Sequence, residues 1–175
     1  TAPVVYWNAG PTTPDGRPVE DWERKGYFPI GVGGGDNDEH PTLSRPRREG
    51  ECALTLVAKR FGVDKDPALQ PLLQYIINND LEGIERELAL AHLVRVMHWK
   101  YPGGSKTVLD WAMLVLDAHY EYQQAFGTST TITGWGFDFP SLMRALRWKY
   151  SNDPQTVLDW EMCVLDAVHE YQEVF

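Results

Sequence analysis

Along the second half of the chain, apolar residues recur at helical spacing. Val108, Trp111, Val115 and Tyr122 fall on one helix face, as do Val157, Trp160, Val164 and Tyr171, and Leu109, Met113 and Leu116 add a second apolar flank. Steps of three and four residues predict amphipathic helices, and a band this wide suits a helix buried on two sides. The two sets are copies. LVRVMHWKYPGGSKTVLDWAMLVLDAHYEYQQAF (93–126) and LMRALRWKYSNDPQTVLDWEMCVLDAVHEYQEVF (142–175) align without a gap at an offset of 49 residues, with 19 of 34 positions identical. Each copy reads as a helix ending in W-K-Y, a short turn, and a long helix starting near TVLDW, which makes an αα-hairpin. Asp153-Pro154 has the form of an N-cap followed by proline at the first helical position, and Gly103-Gly104-Ser105 stands in its place in the first copy. Two such hairpins are expected to pack on each other about a pseudo-twofold axis. The alternative is that one flank, with Trp111, Trp160, Tyr122 and Tyr171, faces a partner or a second copy, because Trp and Tyr favour interfaces.

The first half is patterned differently. Residues 1–50 are rich in Pro and Gly and hold two β-like runs, Val4–Trp7 and Tyr27–Val32, on either side of a Pro-Asp-Gly turn signal. From Glu51 the pattern becomes helical. Cys52, Leu54, Val57, Ala58 and Phe61 predict one helix ending at Gly62; Pro67–Ile77 predicts a second and Gly83–Trp99 a third. The expectation is therefore an α/β protein, mostly helical. A small N-terminal sheet with packed helices would occupy 1–83, and the duplicated hairpins 84–175.

Composition narrows the partners. A net charge of -9 disfavours broad binding to duplex nucleic acid. Two cysteines, Cys52 and Cys163, supply neither a disulfide framework nor a zinc spacing, which suits a reducing, cytoplasmic setting. No apolar run reaches the roughly 18 residues of a membrane span, and no signal peptide opens the chain. The start at Thr1, directly in a strand-like run, leaves room for a preceding segment.

Chemistry concentrates in GVGGGDNDEH, residues 31–40. The glycines do not make a dinucleotide fingerprint, because the sixth position is Asp36, and no P-loop lysine follows. The acidic tail carries more information. Asp36, Asp38, Glu39 and His40 place hard oxygen ligands and an imidazole within five residues, a set that Mn²⁺ and Mg²⁺ favour. Arg45, Arg47 and Arg48 follow, just before the helix at Glu51. Guanidiniums beside a bound cation at a helix start can clamp a phosphate, with Gly33 and Gly34 allowing close approach. Asp80, closing the second helix, could add a carboxylate. The bland alternative is a solvated acidic turn. In the hairpins, Asp110 with Asp117 and Asp159 with Asp166 lie seven residues apart on one face. The Glu-x-x-His spacing of di-metal bundles is missing, so capping, or pairing with the Lys and Arg of the W-K-Y helices, is the expected role of Asp110 and Asp159.

The order G-V-G-G (31–34), D-E-H (38–40), ECALTLVAKRFGV (51–63) and I-I-N-N-D-L-E-G (76–83) resembles the DHH phosphoesterase superfamily. The branch concerned is that of exonuclease-like proteins related to the melanocyte proliferating gene product, and the resemblance covers about residues 3–83. It implies a two-metal phosphoesterase in which Asp38, Glu39, His40 and Asp80 are ligands, with His40 as ligand or general acid–base and Asp36 auxiliary. The departures are specific: the first acidic motif has no counterpart in the chain, Gly31 stands at the bridging Asp, and Glu39 replaces the first His. The resemblance thus implies either part of a split enzyme or a relative without catalysis. The functional expectation is a divalent-metal-dependent phosphohydrolase acting on a phosphodiester, nucleotide or short nucleic acid. Its alternative is a non-catalytic binding or oligomerisation protein that works through the tandem hairpins.

Overall fold

The computed structural model describes residues 13–42, 46–84, 86–127 and 137–175. Among these residues there are seven helices and no strand, so the architecture is all-helical. The helices are α1 (Val19–Arg24), α2 (Ala53–Arg60), α3 (Gln70–Asp80), α4 (Leu90–Lys100), α5 (Ser105–Phe126), α6 (Phe139–Lys149) and α7 (Pro154–Val174). Two compact units are formed, one from 1–65 with 76–83, the other from 66–75 with 84–175.

This corrects the expected α/β class with its small N-terminal sheet. The run Val4–Trp7 lies outside the described residues. Tyr27–Val32 forms no strand: Val32 enters only a single bridge, and the backbone groups beside it are used locally. Gly31 N–H donates to Asn37 O at 2.9 Å, and the Asn37 amide donates to Pro29 O at 3.0 Å. Pro29 has no N–H to give, and Gly31 sits at φ +64°, which turns the chain out of an extended course. Alternation of apolar residues predicts a strand only if an edge is there to receive it.

The helices of the first unit start and stop for local reasons. α1 follows Pro18 and carries Glu20 and Asp21 in its first turn, where acids complement the helix dipole. Sequence patterning missed this helix because it spans only six residues. At α2, Thr55 reaches back to accept from Cys52 N–H at 3.0 Å and donates to Glu51 Oε2 at 2.7 Å. The helix ends before Gly62 as expected. In the second unit, α4 starts later than the pattern predicts, because Leu88 is held at φ +60° and Ala89 pairs with Asp138 in an isolated antiparallel bridge.

That bridge organises the duplication. Leu90 N–H donates to Phe137 O at 3.0 Å, and Phe139 N–H donates to Leu88 O at 2.9 Å. Residues 88, 89 and 90 are the 49-residue equivalents of 137, 138 and 139, so the pseudo-twofold axis passes through the bridge. Around this axis the copies exchange long helices. The short helix α6 packs mainly on α5, and α4 mainly on α7; each leans less on the long helix of its own hairpin. The seal is reciprocal in chemistry. Lys149 Nζ lies 2.9 Å from Glu121, and its equivalent Lys100 lies 3.1 Å from Glu170. Trp148 meets Tyr122 and Phe126 with centroids 5.8 and 5.6 Å away, and Trp99 meets Tyr171 and Phe175 at 5.5 and 6.3 Å. Edge-to-face pairs of this kind each add about 0.5–1.5 kcal/mol beyond the area they bury.

Leu93, Val96, Val115, Ala118, Leu142, Ala145 and Ala167 are fully buried at the crossing. Ala118 and Ala167 are equivalents, and their small side chains let the elements approach closely. Leu142→Ala is therefore expected to cost about 2–5 kcal/mol. Leu158→Ala, at a position 47% exposed, should cost less than about 1 kcal/mol. Urea unfolding of both variants checks the assignment; equal losses would mean that the core has been misplaced.

Candidate functional site

The glycine corner is built around Asp38. Gly34 N–H donates to Asp38 Oδ2 at 2.7 Å, His40 N–H donates to Oδ1 at 3.0 Å, and His40 Nδ1 lies 2.8 Å from the same oxygen. An aspartate accepting from its own following backbone is the local chemistry of a turn. Asp38 is 1% exposed. Burial pushes its carboxyl up, but the hydrogen bonds from His40 and Gly34 outweigh that and hold it below its ordinary value of 3.8. Beside it, Glu39 is 6% exposed. Its Oε1 lies 3.5 Å from His40 Nδ1, and its Oε2 is buried without a hydrogen-bond partner.

Asn37, which sequence reasoning passed over, fastens the corner to the preceding run through Pro29 and Gly31. It is 2% exposed, and its Oδ1 also lies 3.5 Å from Arg60 Nη1. An Asn just after glycines was the available signal, since Asn stabilises turns through its own side chain. Gly34 explains why the run is glycine. It sits at φ +71°, and a Cβ there would fall 2.3 Å from Thr42 Cγ2. Gly33 and Gly35 lie against Val19, and Gly33 also against Thr13, where a Cβ would again crowd.

The expected site residues are gathered only in part. Ligand atoms of Asp38, Glu39 and His40 all lie within 4.8 Å of one another. Asp36 is exposed, and its contribution is its carbonyl, which accepts from Arg48 Nη1 at 2.7 Å. Asp80 is exposed at the end of α3 and is not part of the group. Arg48 ties the following segment down, its N–H donating to Glu39 O at 3.2 Å. Arg47 is exposed, and Arg45 lies outside the described residues. The Gly34 N–H, expected to approach a phosphate, is already given to Asp38.

As a cation site the corner offers hard donors, two carboxylates and an imidazole, and the Glu39 Oε2 among them is buried without a hydrogen-bond partner. The set fits one hard divalent ion such as Mn²⁺ or Mg²⁺. The two-metal centre implied by the resemblance needs more ligands than this group provides.

In the hairpins, Trp111 is buried at 3% exposure with its indole N–H unpartnered, and Trp160 is half-buried. Tyr122 and Tyr171 belong to the two aromatic clusters. Asp110 pairs with Lys106 on its own helix, and Asp159 accepts from Gln155. Contrary to expectation, neither meets the W-K-Y lysines, because the exchange of helices carries those lysines to Glu170 and to Asp117 and Glu121. No known protein family, curated protein or solved structure matches the chain. Among the described residues, no helix is long and apolar enough to cross a membrane.

Two outcomes test the corner. Gly34→Ala should destabilise the protein by about 1–3 kcal/mol, from the positive φ and the clash with Thr42. Thr42→Ser in the same chain should restore only the steric share, as read by thermal unfolding. For Asp38, a folded carboxyl held below its unfolded value stabilises fully above about pH 3.8, and that contribution is lost as pH falls through the lower folded value. Asp38→Asn should therefore be less stable at neutral pH, and the gap from the parent should narrow below pH ~4. A gap that is constant with pH would show that the charge of Asp38 has no part in holding the turn.

Proposed function

We propose that the protein is a binding or assembly protein whose work is done by the duplicated hairpins. The observation that supports this reading best is how the second unit divides its apolar residues. One face of each long helix is buried in the exchanged packing, while Met113 and its equivalent Met162 are each 58% exposed and Phe175 is 80% exposed. A duplication that served only to close a core would not need apolar side chains on the outer faces as well. Large apolar residues kept in water are the expected mark of a surface that is covered part of the time.

A second reading keeps the glycine corner as the working part, and the unpartnered buried Glu39 Oε2 favours it. A divalent cation held by Asp38, Glu39 and His40 would satisfy that oxygen. When bound, such an ion supplies Lewis-acid activation of water toward a phosphate ester. Glu39 would bind the ion, Asp38 would orient His40, and the exposed Arg47 could draw in an anionic substrate. Asp36, Asp80 and Arg45 have no task in this version. It ranks below the binding reading because the Asp38 oxygens already serve the turn.

The two are separated by one pair of measurements on the whole chain. Photo-crosslinking side chains placed at Met113, Phe126, Met162 and Phe175 should give discrete adducts in cells, while one placed at Asp36 should not. Mn²⁺ with an activated phosphodiester should give no turnover above buffer. Mn²⁺-dependent turnover lost in Glu39→Gln, with no adducts from the hairpin positions, would reverse the ranking.

A further inference from the structure

The outer face of α7 continues the binding reading, on which this inference rests, and its spacing is specific. Leu158, Met162, Leu165 and His169 follow one another at steps of four, three and four, the repeat of a coiled-coil seam. The three apolar members are 47%, 58% and 41% exposed, and the His169 side chain is 73% exposed. Asp159 and Asp166 immediately follow Leu158 and Leu165, and Glu173 comes seven residues after Asp166, so all three run along the same side of the seam. All three are exposed. α7 carries five acids and no lysine or arginine. Two of the five are neutralised from other elements, Glu161 by Arg147 and Glu170 by Lys100. Among the described residues, Asp159, Asp166 and Glu173 have no lysine or arginine partner; Asp159 accepts from Gln155 and Glu173 lies near His169.

The equivalent seam on α5 is as open at Met113 as α7 is at Met162, but its acids are neutralised and its end is closed. It consists of Leu109, Met113, Leu116 and Tyr120. Its acids Asp110 and Asp117 are paired with Lys106 and Lys149. At its end, the Tyr120 hydroxyl donates to Asp66 Oδ2 at 2.9 Å, so a segment of the same unit closes it. Leu109 and Leu116 are half-buried, whereas Leu158 and Leu165 are exposed. The same three apolar residues stand in both copies, yet among the described residues it is the second seam whose two leucines are exposed and whose acids lack a lysine or arginine partner.

We infer that the outer face of α7 is a docking seam for a basic amphipathic helix of a partner protein, with apolar residues against Leu158, Met162 and Leu165 and Lys or Arg against Asp159, Asp166 and Glu173. Charge selects this occupant. A second copy of the chain would set one acidic row against another, which is destabilising at coiled-coil flanks. A membrane with anionic lipid would meet the same repulsion. A basic helix turns each flank acid into an interhelical pair, the arrangement that sets partner choice in such seams. The seam spans about two heptads, so affinity is modest, with Kd on the order of 100 µM for an isolated peptide.

The test uses the whole chain and a labelled synthetic helix of three heptads, with Leu at the seam positions and Lys at the flanks, read by fluorescence anisotropy at low and moderate salt. A counterpart with Glu flanks serves as control. The Lys peptide should bind and the Glu peptide should not. Leu158→Ser with Leu165→Ser should weaken binding at least about tenfold, and Asp159→Lys with Asp166→Lys should switch preference to the Glu peptide. Met113→Ser on the closed seam should change affinity less than about twofold. All the substituted positions are exposed, and circular dichroism confirms that each variant is folded. Lys-peptide binding that survives the Leu158/Leu165 change is diffuse attraction to an acidic protein and overturns the inference. So does absence of binding, or self-association in sedimentation equilibrium that the Leu158/Leu165 change abolishes. If the α7 seam proves inert while crosslinkers at Met113 or Phe126 still give adducts, the inference falls and the binding reading stands.

Discussion

The exchange of long helices between the two hairpins is the constraint on which the second unit depends. An amphipathic hairpin of this size cannot bury its own apolar band: the short helix is half as long as its partner, and Val115, Trp111 and their equivalents need cover from two sides. Crossing the copies solves this twice over. α6 closes α5 and α4 closes α7, and the single bridge between Ala89 and Asp138 fixes where the axis falls. The reciprocal Lys–Glu pairs and aromatic clusters then follow from symmetry. Lys149, held in place by Asp117 and Glu121, remains firmly charged at the edge of the crossing, because these two carboxylates outweigh the effect of its partial burial.

Much of the helical unit was legible in the sequence. The offset repeat located α4 to α7, Asp153 caps α7 through Thr156 N–H at 3.3 Å as its position before Pro154 suggested, and the apolar periodicity named Val108, Trp111, Val115, Val157 and Val164 of the core, whereas Met113 on its second flank is exposed. What the pattern could not carry was partner choice. A helix face says that it must be covered, not by which copy, so Asp110 and Asp159 were assigned to lysines that the exchange takes elsewhere. The N-terminal sheet failed for a related reason. Tyr27–Val32 has strand composition, but strands are stabilised by pairing across a ladder, and here Asn37 takes up Pro29 O and Gly31 N–H while only Val32 enters a bridge.

The corner was legible as a cluster, though not in its full membership. Asp38, Glu39 and His40 do converge, which adjacency in sequence made easy to see. Asp36 and Asp80 do not join them, because Asp36 points its side chain to solvent while its carbonyl anchors Arg48, and Asp80 ends a helix in water. The short-range roles of Asp38, as acceptor for Gly34 and His40, could not be distinguished from ligation by residue type alone: a carboxylate that closes a turn and one that binds a cation read the same way. The open seam of α7 was also present in the spacing of Leu158, Met162 and Leu165. It became visible only when the structure left those side chains uncovered and closed their equivalents on α5.

The exchange itself is tested most directly by side-chain nuclear Overhauser contacts in the folded chain. The account predicts cross-peaks between the Trp99 indole and the rings of Tyr171 and Phe175, and between the Trp148 indole and the rings of Tyr122 and Phe126. Contacts of Trp99 with Tyr122, and of Trp148 with Tyr171, would mean that each hairpin closes on itself. That result would contradict the crossed packing and remove the distinction between a closed seam on α5 and an open one on α7.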